Sequence, residues 1–150
     1  MPELRLEHYN IRTTKPDATI KFYSDVLGLK SGYRPSTRPG AWMYDRTGTP
    51  VVHISGVDPS NTEAMAQLEA HLGKRDLDTL VGSGSIDHVA FEATDYEHFC
   101  SHLTAHAVAY TAREVTQMSL KQLFVTDPNG ITVELNFRPA NVDAAGRAKP

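Results

Sequence analysis

Four side chains that commonly bind metal ions occupy matching places in two similar stretches of the chain. Residues 6–11 (LEHYNI) resemble residues 86–91 (IDHVAF), eighty positions later, and each stretch has a histidine third. Residues 52–54 (VHI) and 133–135 (VEL) match in the same way, with a histidine or a glutamate in the middle. Such self-similarity indicates a repeated structural unit, and if the two units pair, the four side chains can converge on one ion. The candidate ligands are His8, His53, His88 and Glu134.

Three imidazoles and one carboxylate favour a particular group of metals. Neutral imidazole nitrogen binds such ions at about 2.0–2.1 Å, and a carboxylate oxygen supplies negative charge. The set suits Zn, Fe, Ni, Co or Mn, and suits Ca or Mg poorly. A six-coordinate ion would keep two positions for water or substrate oxygens and would act there as a Lewis acid. A lone histidine on a strand is usually a hydrogen-bonded pocket residue, so the prediction depends on the four matched positions together.

A second group of histidines follows helical spacing. His98, His102 and His106 are four residues apart and would form a stripe along one helix. Apolar residues between them define the packed face of that helix, so we interpret the stripe as a solvated face rather than a metal site. The single cysteine, Cys100, lies in the same helix. It is interpreted as a packing residue, because no neighbour supplies the positive charge that activates a thiol.

Hydrophobic spacing divides the chain into two similar modules. The first spans about residues 4–57 and the second about 86–138, and each is predicted as a strand, a helix and three strands. A linker with a polar helix covers about 58–85, and the tail, 139–150, is expected to be loose or to pack on a partner subunit. We treat the whole chain, 1–150, as one domain.

The predicted elements have definite bounds. In the first module the strands cover residues 4–13, 29–34, 41–46 and 51–55, and the helix runs from Pro16 to about Leu27, where Gly28 ends it. The linker helix covers 61–72. In the second module the strands cover residues 86–93, 108–115, 120–126 and 131–137, and the helix covers 96–105.

The alternation of apolar residues predicts which side chains share a face of each strand. When the apolar residues of the last strand in each module are aligned, His53 corresponds to Glu134. This alignment requires one extra residue in the turn that precedes the last strand of the first module. In the first strand of each module, the residue after the histidine faces the helix, so His8 and His88 point away from it. All four candidates are therefore expected on the face turned away from the helices.

Composition argues against several classes of function. The chain has 150 residues, a net charge of -3 and a pI near 6.1, which gives no reason to expect nucleic acid or an anionic membrane as a partner. No apolar run approaches the roughly 20 residues of a membrane span. Residues 1–5 lack the apolar core of a secretory signal, and one cysteine cannot form an internal disulfide. We therefore expect a cytoplasmic location.

These motifs resemble the glyoxalase/bleomycin-resistance/extradiol-dioxygenase superfamily, also called vicinal oxygen chelate proteins. The resemblance covers about residues 4–138 and rests on residues 20–29 (IKFYSDVLGL), 86–91 and 127–135 (DPNGITVEL), together with His8. It implies an α+β fold in which two paired βαβββ modules form an open eight-stranded, barrel-like cup with the helices outside. It also implies a homodimer.

The resemblance implies His8, His88 and Glu134 as metal ligands and leaves the fourth corner open. Glyoxalase I-like enzymes carry Glu there and methylmalonyl-CoA epimerase-like enzymes carry Gln, whereas extradiol dioxygenases and fosfomycin-resistance enzymes bind through two His and one Glu. In this chain the corner is His53. That departure from the lyase pattern argues against glutathione chemistry.

Two reactions on a small molecule with neighbouring oxygens fit these residues. In the favoured one, an extradiol-type dioxygenase, Fe(II) held by His8, His88 and Glu134 binds a catechol, and His53 is an acid or base beside it. In the alternative, a glyoxalase I- or epimerase-like lyase or isomerase, the metal stabilises an enediolate while Glu134 or His53 moves a proton. The missing corner Glu favours the first. A third interpretation is a non-catalytic drug-binding resistance protein, but such proteins have lost the ligands that are retained here.

Several side chains close to the candidate ligands are expected to bind substrate. Two lie on the strand beside Glu134, two lie one strand from His53, and two follow His8 on its own face. An arginine in the last pair would suit an anionic substrate, and the aromatic rings would stack on a flat one. The candidates are Gln122, Phe124, Trp42, Tyr44, Asn10 and Arg12.

Overall fold

The computed structural model describes residues 4–149, with the backbone only at residue 72, as an α+β protein. These residues divide into two compact units, one ending at Val81 and the other beginning at Gly82. Each unit contains one βαβββ module with a four-stranded mixed sheet, which confirms the predicted fold class. Residues 1–3, on which the prediction about a secretory signal partly depends, and the last residue of the predicted tail lie outside the described residues.

The first unit is a single mixed sheet with one helix of its module and the linker helix. Its elements are β1 (Tyr9–Thr13), α1 (Pro16–Lys21), a π-helical continuation of α1 (Phe22–Val26), β2 (Lys30–Gly32), β3 (Gly40–Tyr44), β4 (Pro50–Gly56) and α2 (Thr62–Leu72). The strand order is β1-β4-β3-β2, with β1 and β4 parallel and the other neighbours antiparallel. As predicted, α1 begins at Pro16, and Gly28, with φ +75°, follows the end of the helix.

The core of the first unit lies between its sheet and α1. Val52 and Ile54 of β4 are buried, as is Ile11 of β1, because alternate residues of each strand face the helix. Tyr23 of the π-helical segment is fully buried, and its hydroxyl accepts a hydrogen bond from the Tyr9 hydroxyl at 3.1 Å. The opposite face of these two strands carries Asn10 and Arg12 of β1 and His53 and Ser55 of β4.

The second unit repeats this plan. Its elements are β5 (Val89–Ala93), α3 (Tyr96–Ala105), β6 (Thr111–Val115), β7 (Leu120–Thr126) and β8 (Thr132–Phe137), with strand order β5-β8-β7-β6. The bounds of α3 and β7 are those predicted. Asp95 caps α3 by accepting a hydrogen bond from the His98 amide, and the predicted packed face is confirmed because Leu103 is fully buried.

The first strand of each module begins later than predicted. β1 starts at Tyr9 and β5 at Val89, so His8 and His88 each lie immediately before a strand rather than within it. The parallel pairing with β4 begins at Tyr9 and the pairing with β8 begins at Val89, and no strand pairs with residues 4–8 or 86–88. Leu6, which the prediction placed in the strand, is accordingly 86% exposed.

The extra residue of the first module is a β-bulge, not part of the turn. Tyr44 pairs with Pro50 and Met43 with Val52, so Val51 has no partner of its own. The corresponding strands β7 and β8 pair without interruption. The bulge absorbs the additional residue and leaves the facing of the rest of β4 unchanged.

After β8, residues 139–149 form a closed loop. The Asp143 carboxylate accepts hydrogen bonds from the backbone amides of Ala145 and Arg147, and the Arg147 guanidinium donates to its other oxygen at 2.8 Å. A bridge between Val142 and Ala148 closes the loop.

Across residues 4–149, none of the helices combines the length and the apolar character needed to cross a membrane.

Candidate functional site

The two predicted ligands of the second unit lie in contact with each other. The Nε2 atom of His88 is 3.2 Å from Oε2 of Glu134. Glu134 lies at the centre of β8, paired with Ala90 and Phe124, and is only 8% exposed. A buried carboxylate is unfavourable unless it is paired, so this glutamate needs a cationic partner.

Each of the two side chains is held by a further polar group. Nδ1 of His88 lies 2.8 Å from Oδ2 of Asp87, and because a carboxylate only accepts, the neutral ring carries its proton on Nδ1 and keeps the lone pair on Nε2. The Asn136 amide donates to Oε1 of Glu134 at 2.6 Å, and Gln122 in turn donates to Asn136 at 3.0 Å. Hydrogen bonds of this kind orient metal ligands in proteins.

The separation of the two free donor atoms fits coordination of one ion. Donors held about 2.0–2.2 Å from an ion, at octahedral or tetrahedral angles, are about 2.8–3.6 Å apart. The observed 3.2 Å between Nε2 of His88 and Oε2 of Glu134 lies in this range. The separation of these two atoms is therefore compatible with binding to one ion.

The two predicted ligands of the first unit are stacked with an indole. The ring of His53 lies between those of His8 and Trp42, with centroid distances of 3.7 Å and 4.2 Å and interplanar angles of 16° and 8°. Nitrogen lone pairs lie in the plane of an imidazole. Stacked rings therefore direct them side by side, and both histidines can serve one ion only after a side-chain rotation.

His53 has an unusual environment for a histidine on a strand. Its Nε2 atom is buried and has no hydrogen-bond partner among the described residues. Burial lowers the pKa of His53 below its ordinary value, and the neighbouring His8 lowers it further. The ring is therefore neutral near pH 7 and has a free nitrogen that can bind an ion or exchange a proton.

The other predicted substrate-binding residues are placed as follows. Asn10 accepts a hydrogen bond from the Ser55 hydroxyl at 3.1 Å, and the Arg12 guanidinium donates to the Gly73 carbonyl at 2.8 Å. The other four residues lie on β3 and β7. Tyr44 donates to the Tyr33 carbonyl at 2.7 Å, Phe124 stands edge-on to His88 at 6.5 Å, Trp42 stacks on His53, and Gln122 is buried in the Asn136 network.

Two residues of the site were missed by the sequence reasoning. Asp87 directly precedes a candidate ligand, and Asn136 lies two residues after Glu134 on the same face of β8. Two signals in the sequence could have identified them. Asp87 is next to a candidate ligand along the chain, and Asn136 is two positions from another on the same strand, so each can form a hydrogen bond beside a ligand.

The alternative histidine stripe on α3 has the predicted spacing. The rings of His98 and His102 are 6.0 Å apart, and those of His102 and His106 are 4.4 Å apart. His98 and His106 are exposed, which agrees with a solvated face. Among residues 4–149, no three His, Cys, Asp or Glu side chains are gathered closely enough to hold an ion, and this includes the stripe.

Replacing Asp87 by Asn should lower the pKa of His88. The hydrogen bond from Nδ1 to Asp87 raises that pKa, burial opposes the shift, and Glu134 adds to it. Because the pKa is raised on folding, the pair stabilises the folded chain below the ordinary histidine pKa, and this contribution is lost as pH rises through the folded value. NMR titration of the ring protons measures the shift, with Asp78→Asn, a change in the other unit, as the control. An unaltered titration in Asp87→Asn would contradict the assigned hydrogen bond.

The chain belongs to the Glyoxalase/Bleomycin resistance protein/Dioxygenase superfamily, whose model matches residues 5–135. No curated protein matches the sequence.

A lactoylglutathione lyase from Agrobacterium tumefaciens is 15% identical, covers 91% of this chain and 96% of its own, and gives a TM-score of 0.60. The fosfomycin resistance protein FosX from Listeria monocytogenes is also 15% identical, covers 93% and 96%, and gives 0.60. An antibiotic binding protein from Streptomyces sp. CB03234 is 14% identical, covers 93% and 99%, and gives 0.59. At such identities the likeness concerns the fold alone.

Proposed function

We propose that this protein is a metal-dependent enzyme acting on a small molecule with two neighbouring oxygens. The observation that supports this most strongly is the His88–Glu134 pair, whose free donor atoms are 3.2 Å apart and whose other atoms are fixed by Asp87 and Asn136. A buried carboxylate held next to a histidine lone pair is the arrangement that metal coordination requires. We propose that His8 completes the ligand set around a divalent ion, with Fe(II) favoured over Zn, Ni, Co or Mn, and that His53 lies beside the ion as an acid or base.

The reaction that we favour is extradiol-type cleavage of a catechol. When bound, the ion supplies Lewis acidity and binds the two substrate oxygens. The chain itself contributes a carboxylate that balances the charge and a neutral imidazole, His53, whose buried Nε2 can take the proton of a hydroxyl group. Phe124, edge-on to His88, and Trp42, stacked on His53, line the ligands with apolar surface.

A proton-transfer lyase or isomerase is the second candidate, and one observation favours it. Burial lowers the pKa of His53, which keeps the ring in the form that accepts a proton at neutral pH. Moving a proton beside an enediolate needs a base of this kind.

A drug-binding protein without catalytic activity is the least consistent with the site. Such a protein would have no use for a carboxylate that is 8% exposed and lies 3.2 Å from a histidine nitrogen. Apolar residues of the same size would be at least as stable there. We further propose a cytoplasmic homodimer, supported by the single cysteine and by the dimers that this superfamily often forms. Sedimentation equilibrium tests the oligomeric state.

The decisive experiment is metal analysis of protein purified without an affinity tag, followed by activity assays. About one Fe(II) per chain, with oxygen uptake on adding catechol, is the expected result. Ni, Zn or Co with turnover of a hemithioacetal would favour the lyase, and a protein with no metal and no activity would overturn the proposal.

His53→Gln and His106→Gln form a matched pair of variants for this assay. The first should lower the rate by about 100-fold or more, since proton transfer by a positioned group contributes at least that much. The second removes an exposed histidine of the α3 stripe and should change neither metal content nor rate. A loss of metal in His106→Gln would place the ion on the stripe instead.

A further inference from the structure

A small cleft lies at the end of β4 in the first unit, between β4, α2 and the chain that leads into β3. Its volume is about 290 Å³ including the part open to solvent, and its polar lining comes from Arg34, Arg38, Ser55 and Asp58. Leu68 of α2 is buried at its apolar side. A cleft of this size suits one small charged group rather than a whole substrate.

The two arginines in this cleft are not neutralised by the protein. Both are half-buried, and the Arg34 guanidinium donates to the Arg38 carbonyl. Neither lies within ion-pairing distance of a carboxylate in the described part of the chain. Burial lowers the pKa of Arg34, and the proximity of Arg38 lowers it further, as expected for two cations held together without an anion.

The acidic residue of the cleft is engaged elsewhere. Oδ1 of Asp58 accepts hydrogen bonds from the Ser60 hydroxyl at 2.6 Å and from the Ser60 amide at 3.0 Å. These bonds lower the pKa of Asp58, with no contribution from either arginine. Its charge therefore stabilises its own turn rather than the two guanidinium groups.

The cleft adjoins the candidate metal ligand of the same unit. Ser55 is two residues after His53 on β4, on the same face, so the two positions are about 7 Å apart along the strand. A molecule whose reacting oxygens lie at His53 can thus extend a side arm into the cleft.

We propose that Arg34 and Arg38 form an anion-binding subsite that holds the carboxylate of the substrate. The guanidinium fork matches the two oxygens of a carboxylate. The role of this subsite in turnover rests on the proposed function. The substrate is then a catechol, or another molecule with two neighbouring oxygens, whose carboxylate lies about one ring length from those oxygens. The binding of the anion itself does not depend on turnover.

Isothermal titration calorimetry on the full chain tests the subsite without requiring activity. The probes are 3,4-dihydroxybenzoate, catechol and inorganic phosphate, and the variants are Arg34→Gln, Arg38→Gln and Arg34→Lys. Arg46→Gln is the control variant, because it also removes one positive charge but lies on the exposed turn before β4, outside the cleft. Circular dichroism verifies that each variant is folded.

The wild type should bind the dihydroxybenzoate at least about tenfold more tightly than catechol, and each Gln variant should lose about tenfold for the carboxylate probe alone. Arg34→Lys should recover part of that loss, and Arg46→Gln should match the wild type. Tighter binding of phosphate than of the carboxylate would assign the cleft to phosphorylated substrates and overturn the carboxylate proposal. Equal binding of both catechols, or equal losses for both in the Gln variants, would also overturn it. If the carboxylate preference is present but the metal and turnover assays fail, the proposed function falls and the anion site stands.

Discussion

Replacing Glu134 by Gln should reduce turnover by about a thousandfold or more and metal affinity by at least about tenfold. The substitution removes the negative charge and one anionic donor from the atom that lies 3.2 Å from His88 Nε2. It keeps the size of the side chain and an oxygen that can still accept the hydrogen bond from Asn136. We therefore expect a folded protein with lower metal occupancy.

Metal content per chain, thermal midpoint and rate are measured together on this variant. Glu114→Gln, on the exposed face of β6, is the control and should behave as the wild type in all three. If Glu134→Gln retained its metal content and its rate, Glu134 would be no ligand and the proposed site would be wrong.

Replacing Asp127 by Ala should destabilise the protein by about 3–4 kcal/mol. Oδ1 of Asp127 accepts hydrogen bonds from the backbone amides of Asn129 and Ile131, both at 2.8 Å, in the turn between β7 and β8. All three residues are buried, so removing the carboxylate leaves two amides without a partner, at about 1–3 kcal/mol each.

The repeat offers a matched comparison for this turn. Asp45 makes the same bonds to the amides of Thr47 and Thr49, at 2.8 Å and 3.1 Å, in the turn between β3 and β4. That turn is largely exposed, so water replaces the lost carboxylate, and Asp45→Ala should cost about 1 kcal/mol. Urea unfolding of both variants gives the two free energies. If both variants lost the same free energy of unfolding, burial of the turn would not determine how much the aspartate contributes to stability.

Much of the fold could be predicted because local and repeated signals agree. Pro16 and Gly28 mark helix ends by their own chemistry, and the structure has those ends where the sequence predicts them. The apolar alternation in β4 and β8 predicted that His53 and Glu134 are equivalent. The registers confirm this, since Asn10 pairs with His53 as Ala90 pairs with Glu134.

What the sequence did not predict depends on contacts between distant segments. The start of β1 is set by where β4 begins to pair with it, which residues 4–8 do not reveal. The bulge at Val51 differs from an extra turn residue only in the pairing of β3 with β4. The arginine cleft likewise joins β4 to α2 and to residues before β3, which have no shared pattern in the sequence. The assignment of the four ligands to one ion stays a prediction.

The position of Trp42 has a practical consequence for studying this protein. It is the single tryptophan of the chain, and its ring lies 4.2 Å from that of His53. Indole fluorescence excited at long wavelength therefore originates entirely beside one candidate ligand. Protonation of that imidazole, or its capture by an ion, would alter the quantum yield of the indole, so events at this half of the site can be followed optically in unlabelled protein.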